Sequence, residues 1–177
     1  MHKEMGYKMG IEIIKTDITS LEVDAIVNAA NDGLWAGGGV CGAIFRAAGY
    51  EELTKACEKI GGCKTGSAVI TPGFNLKAKY VIHAVGPVWQ GGNNNEQVDL
   101  YNAYIKSLEL AMEYTLHSIA FPLISAGIFG YPIKDAWNIA ITACKDFASA
   151  VDAYHIDIIF AVLDDDIKNI GEEILRG

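Results

Sequence analysis

The stretch from Val27 to Ala48, V-N-A-A-N-D-G-L-W-A-G-G-G-V-C-G-A-I-F-R-A-A, constrains this chain more than any other. It starts inside an apolar run, Asp24 to Ala30, that predicts a short buried strand. It then passes two asparagines, Asn28 and Asn31, and three consecutive glycines, Gly37, Gly38 and Gly39. It ends in small residues, Val40 to Ala48, that predict a helix. Adjacent glycines are costly to order and pack no side chain. They suit a backbone that bends sharply or lies against a ligand with no Cβ in the way. Between a strand and a helix, such a loop aims free N–H groups and the positive end of the helix dipole at one point, which suits a phosphate.

Two phosphate-binding patterns fail against it. Gly37, Gly39 and Gly42 satisfy G-x-G-x-x-G, but the dinucleotide fingerprint turns straight off its strand and needs an acidic residue about 20 positions on. Here the glycines follow a long loop, and 20 positions beyond Gly42 the chain has Gly62, not an acidic residue. A P-loop closes on Gly-Lys-Ser/Thr, and no lysine follows until Lys55.

With 177 residues, 51% of them hydrophobic, the chain has the size of one domain with a substantial core. Its formal charge of −8 argues against non-specific binding to nucleic acid or to anionic membranes. A diphosphate bound by such a protein should be held mainly by backbone amides. Cys41, Cys57, Cys63 and Cys144 include no C-x-x-C pair and no metal-ligand spacing, which predicts reduced thiols in a core. No apolar run approaches the roughly 20 residues of a membrane span. The N-terminus lacks a signal-peptide apolar region, so a cytoplasmic protein is expected, with residues 1–9 a flexible end before one domain, 10–177.

Along the chain, Gly10 to Lys15 predicts a first strand, and Thr16 to Ser20 the loop leaving it, with Thr16 and Asp17 as turn or cap residues. Tyr50 to Ile60 predicts a helix stopped by Gly61 and Gly62. Ser67 to Thr71 and Lys79 to Val85 predict strands, the second with His83 as a packed histidine holding a backbone partner. Glu96 to Leu116 predicts a helix with an apolar stripe from Val98 through Tyr101, Tyr104 and Leu108 to Met112, its tyrosines at the core edge. Ile119 to Ile124 predicts a strand, Ile133 to Val151 a helix, His155 to Leu163 the last strand and Asp164 to Leu175 a closing helix. Asp164, Asp165 and Asp166 fit helix capping and are spaced too closely for a calcium loop. This alternation predicts a three-layer α/β/α domain with a mixed sheet of about six strands. A second small-residue loop, Ser125-Ala126-Gly127-Ile128-Phe129-Gly130, also follows a strand and precedes a helix. Ligands in such sheets bind beyond the strand C-termini, where the two loops can hold a diphosphate between two sets of amides.

Asn28-Ala29-Ala30-Asn31, Gly37-Gly38-Gly39-Val40 and Ala47-Ala48-Gly49 together resemble the macrodomain family, which binds ADP-ribose. Thr71 to Pro87 and Ser125 to Pro132 resemble two further blocks of that family, and the resemblance extends from about Ile11 to Asp164. It implies that Asp17 accepts a hydrogen bond from the adenine amino group, with Ile18 beside it and Leu163 against the ring. It places the diphosphate among Gly37, Gly38, Gly39, Val40, Ser125, Ala126, Gly127 and Ile128. Asn28 joins the ligand-binding set, Asn31 takes the distal ribose, and Phe129 lies over that ribose. Thr16 stands where the family has glycine. The implied ligand is ADP-ribose or a mono-ADP-ribosylated protein, taken by a monomer without cofactor or metal.

Similarity is strongest to the MacroD-like and viral-type branches, and it implies a mono-ADP-ribosyl hydrolase. In the MacroD-like branch an Asp directly after G-G-V helps position or activate the attacking water. Here that residue is Cys41, a poor substitute for a carboxylate. Branches lacking the Asp use the distal-ribose Asn and the substrate's phosphate to hold water, so Asn31 becomes the main catalytic candidate and Cys41 a doubtful one. The zinc-dependent branch has Cys and His ligands near the glycine loop, an arrangement this chain lacks. Three alternatives remain open: a non-catalytic ADP-ribose reader, an enzyme acting on O-acetyl-ADP-ribose or ADP-ribose 1″-phosphate, and nucleophilic catalysis by Cys41, which has no histidine close in sequence.

Overall fold

A computed structural model describes residues 10–151 and 153–177; the flexible end expected at residues 1–9 lies outside them. Six strands, β1 (Ile11–Lys15), β2 (Ala25–Ala29), β3 (Ala68–Pro72), β4 (Tyr80–Ala84), β5 (Ser118–Phe121) and β6 (Asp157–Val162), form one sheet in the order β1-β6-β5-β2-β4-β3. All neighbours are parallel except β3, which runs antiparallel to β4 at the edge. The sheet is therefore mixed, and five strands end at one rim.

The five α-helices of the described residues divide between the faces according to strand alternation. Ala25 and Val27 of β2, Ile119 and Phe121 of β5, and Ile158 and Phe160 of β6 point to one core. That core is closed by α3 (Glu96–Glu113), α4 (Ile133–Ala150) and α5 (Asp165–Arg176). Ile26, Val81, Ala120 and Ala161 point the other way, against α1 (Gly39–Ala48) and α2 (Tyr50–Ile60). Strands covered on both faces need apolar residues at successive positions, which accounts for the runs in β2 and β4, each broken only by one member of the Asn28–His83 pair. Asp164 caps α5 by accepting from the Ile167 N–H at 3.0 Å, a role that explains the acidic cluster without a metal.

Three local expectations change. Strand β5 stops at Phe121, not Ile124, because Pro122 has no N–H for the ladder. The buried hydroxyl of Tyr104 takes over there, accepting from the Ile124 N–H at 2.9 Å and donating to the Pro122 carbonyl at 3.4 Å. Tyr104 is thus fully buried and not a core-edge residue; its large apolar ring fills the core while its hydroxyl satisfies the strand end. In α3, Val98 is 55% exposed while Glu96 is buried. The inward track runs Glu96, Leu100, Ala103, Tyr104, Ser107, Leu108 and Ala111, and Val98 falls off it.

Candidate functional site

Two loops meet at the C-terminal rim between β2 and β5, which are neighbours in the sheet though far apart in sequence. A Cβ built on Gly38 would lie 3.7 Å from Cδ1 of Ile128, so the first loop faces the second across a narrow gap. Gly39 has φ +58°, the left-handed region that favours glycine, as the chain swings into α1. The first hydrogen bond to enter that helix runs from the Gly42 N–H to the Gly38 carbonyl at 3.3 Å. The amides of Gly38, Gly39, Val40 and Cys41 precede it and have no acceptor among the described residues, as expected of a helix start.

In the second loop, Ser125 sits at φ +68° and donates its hydroxyl to the Pro87 carbonyl at 2.7 Å. Its carbonyl accepts from the Tyr131 N–H at 2.8 Å, and that of Gly127 accepts from the Gly130 N–H at 3.0 Å. Ala126 donates its own N–H to Leu123 at 3.3 Å. The amides of Gly127, Ile128 and Phe129 are left without an acceptor among the described residues. Ser125 is therefore a buried staple whose hydroxyl is already engaged, and the free amides of the loop are those of Gly127, Ile128 and Phe129. The loop is braced from outside. Trp89 donates its N–H to the Phe129 carbonyl at 2.8 Å and packs its ring 4.7 Å from that of Tyr131. The Glu96 carboxylate gathers the N–H groups of Gln90, Asn94 and Gly92 at 2.7, 2.7 and 3.2 Å, which holds its pKa below the usual carboxylate range, the Asn94 bond foremost.

Asn31, after β2, is half-buried. Its Nδ2 donates to the Trp35 carbonyl at 2.8 Å and its Oδ1 accepts from the Trp35 N–H at 3.1 Å. A carboxamide has two donors and two acceptor lone pairs, so one of each is left for a ligand and the amide plane is fixed in advance. Cys41 is only 5% exposed. Its sulfur accepts from the Gly37 N–H at 3.4 Å and lies 3.8 Å from the Trp35 carbonyl, so the thiol braces the loop from within. Asn28 is 1% exposed and directs Nδ2 to Nδ1 of His83 at 3.1 Å, while its buried Oδ1 has no partner among the described residues.

His83 also departs from expectation: its partners are side chains. Nε2 reaches Oγ1 of Thr71 at 3.0 Å, and Thr71 in turn donates to the Pro72 carbonyl at 3.1 Å. The pattern fits a neutral ring that accepts at Nδ1 and donates at Nε2, tying β2, β4 and β3 together. Burial pushes the His83 pKa down to about 4. Because the folded pKa lies below the unfolded one, stability is complete above about pH 6.5 and is lost as pH falls toward 4. The linked loss is roughly 3 kcal/mol, taking 1.36 kcal/mol per unit. Urea unfolding of wild type between pH 7 and 4 should show it. His83→Gln, which keeps a donor and an acceptor but does not titrate, should show a shallower decline; an equal slope removes His83 as the cause.

At the far edge, Asp17 follows β1. Its Oδ1 caps a short 3-10 helix, Ile18–Ser20, accepting from the N–H and hydroxyl of Thr19 at 2.9 and 2.8 Å. Asp17 is exposed and its second carboxylate oxygen has no hydrogen-bond partner among the described residues, so the cap leaves that oxygen free. Ile18 is buried, while Leu163 after β6 is 73% exposed and Ile128 is 83% exposed. Asp17, Leu163, the paired loops and Asn31 follow strand ends along one rim, while Ile18, Asn28 and Ser125 are buried. Sequence patterns singled out neither Glu96 nor Trp35 for this site and marked Tyr104 only as a core-edge residue.

Such a rim, with unpartnered amides converging from two loops and the Asp17 carboxylate at one end, belongs to a three-layer α/β/α domain. Residues 27–140 match the family model described as Macro domain. A macro domain-containing protein of Caldanaerobacter subterraneus subsp. tengcongensis is 57% identical over 143 residues, covering 79% of this chain and 82% of that protein. The structure of the Oceanobacillus iheyensis macrodomain with ADP superposes with a TM-score of 0.90 at 37% identity, covering 97% of this chain and 93% of the other. The Trypanosoma brucei macrodomain in complex with ADP-ribose gives 0.86 at 36% identity, covering 93% and 68%. This chain belongs to the macro domain family. No described helix is long and apolar enough to cross a membrane.

Proposed function

We propose that this protein binds ADP-ribose and hydrolyses the bond joining it to a modified protein side chain. The observation that carries the binding is the set of amides from Gly38 to Cys41 and from Gly127 to Phe129, unpartnered among the described residues and facing one gap. Backbone donors serve a diphosphate without lysine or arginine, in keeping with a chain of formal charge −8. Structural relatives hold ADP and ADP-ribose in their crystals. In hydrolysis, water attacks the anomeric carbon of the distal ribose and the bond to the acceptor carboxylate oxygen breaks. Carboxylate and free ADP-ribose leave, and the water's proton passes to solvent. Asn31, with its plane fixed by Trp35, orients that water. Cys41 supplies no base.

The buried thiol in place of a carboxylate gives a second reading its support: a reader that binds ADP-ribose without cutting. A time course of ADP-ribose release from a glutamate-modified protein, run beside direct ADP-ribose binding, separates the two. Release above background supports the hydrolase; binding alone leaves the reader.

Base selection is assigned to Asp17. Asp17→Asn keeps an oxygen for the Thr19 cap but loses the charge, and a hydrogen bond to a charged group contributes about 1.5–3 kcal/mol. Affinity for ADP-ribose should fall about 10- to 100-fold, and the preference over the inosine analogue should vanish. A variant with undiminished preference for adenine removes Asp17 from base recognition.

A further inference from the structure

Glu96 opens α3 and is buried to 2% exposure, yet no lysine or arginine pairs with it among the described residues. Taking a carboxylate out of water is costly unless hydrogen bonds replace the lost hydration. Here the replacements come from one stretch of backbone. Oε2 accepts from the N–H groups of Gln90 and Gly92 at 2.7 and 3.2 Å, and Oε1 from that of Asn94 at 2.7 Å. A serine or asparagine would cap a helix start with one bond, and Asn95 at the cap of α3 makes none with its side chain. A carboxylate has two acceptor oxygens and can gather several turns of chain at once. The stretch it gathers does not hold itself in an extended form, since Gly91, Gly92 and Asn95 take left-handed φ of +95°, +90° and +61°.

The chain between β4 and α3 grips the second amide loop at both ends. At the first, the Pro87 carbonyl accepts the Ser125 hydroxyl at 2.7 Å, and a Cβ on Gly86 would collide with that same oxygen. At the second, Trp89 donates its N–H to the Phe129 carbonyl at 2.8 Å and lays its indole 4.7 Å from the Tyr131 ring. The Glu96 clamp reaches this second grip directly. Gln90, which it binds, adjoins Trp89 in the chain. Gly92, which it also binds, lies on the indole: a Cβ there would stand 2.9 Å from Cη2. The Phe129 carbonyl shares a rigid peptide plane with the Gly130 N–H, which closes the turn on the Gly127 carbonyl at 3.0 Å. Tilting that plane turns the free amides of Gly127, Ile128 and Phe129 with it.

We infer that Glu96 is a positioning residue for ligand binding: by fastening residues 90–94 over Trp89, it sets the aim of the Gly127, Ile128 and Phe129 amides without touching the ligand. This rests on the functional reading above, since it assumes that those amides hold the diphosphate of ADP-ribose. The test is calorimetry with ADP-ribose on purified variants, beside a thermal melt of each. Glu96→Gln keeps the length and one acceptor oxygen but turns an NH2 group toward an N–H it formerly accepted. Its affinity should fall about 10-fold, the scale of effects carried by residues without ligand contact. Ile141→Val, buried in the same core on α4, should lower the melting temperature and bind as wild type does. Trp89→Phe withdraws the ring edge on which Gly92 lies and should also lose affinity. Adding Glu96→Gln to it should cost less than Glu96→Gln costs alone, because the two act through one link. Unchanged affinity in a folded Glu96→Gln protein overturns the proposal. So does an affinity that falls in Ile141→Val in step with stability, and so do strictly additive losses in the double variant. If Glu96→Gln does not fold, undiminished affinity in Trp89→Phe overturns the proposal by itself. Wild type that binds no ADP-ribose overturns the reading of the crevice, a separate result.

Discussion

Gly42→Ala should weaken ADP-ribose binding by about 10- to 100-fold while the protein still folds. The position is inside α1, where alanine is favoured over glycine by about 1 kcal/mol. A Cβ there, however, would lie 2.7 Å from the Gly37 carbonyl oxygen. That neighbour is backbone and cannot swing aside. The Gly37 peptide must move and carry the Gly38 amide with it, together with the Gly37 N–H held by Cys41 at 3.4 Å. Losing the aim of a hydrogen bond to a charged phosphate costs about 1.5–3 kcal/mol, which sets the range of the expected loss. Calorimetry and a thermal melt on the same protein check it. Unchanged affinity would mean that the first loop does not cradle the phosphate.

Asn31→Ala should reduce turnover on a glutamate-modified protein by 10-fold or more, because a lost positioning hydrogen bond costs at least about 1.4 kcal/mol in the transition state. Alanine also releases the Trp35 backbone from its two bonds to the carboxamide, so the binding affinity of free ADP-ribose must be measured in parallel to separate a displaced loop from a displaced water. Cys41→Ala should alter turnover little, since the thiol faces the Gly37 amide and a sulfur acceptor is weak. Cys41→Asp should raise turnover by adding a carboxylate beside Asn31. A Cys41→Ala protein that binds normally and has lost all turnover would contradict a mechanism without a base and bring the thiol into the chemistry. Absence of release from wild type would leave the reader.

Period and loop chemistry carried most of the architecture into the sequence. Near-continuous apolar runs marked β2 and β4 because both faces of those strands are covered, and Tyr50 to Ile60 was bounded by the glycine at each end. The loops were visible because three adjacent glycines and S-A-G-I-F-G have few structural uses. Side-chain partnership was not visible. Nothing local tells that Asn28 meets His83, which follows from the parallel register that places the two side by side. Nor does spacing show that Cys41 turns toward Gly37, or that Tyr104 closes β5, since each depends on residues brought together by the fold. Glu96 was hidden among the polar residues of a helix start, where an acid is expected on dipole grounds; its burial follows from the loop that wraps it.

The central claim is that backbone amides at one sheet rim make this acidic chain a binder of ADP-ribose. Titration of the purified protein with ADP-ribose by calorimetry tests it most directly. The account predicts saturable binding at one site per chain, weakened by Gly42→Ala. No saturable heat up to roughly 1 mM ligand, which corresponds to less than about 4 kcal/mol of binding free energy, would contradict it.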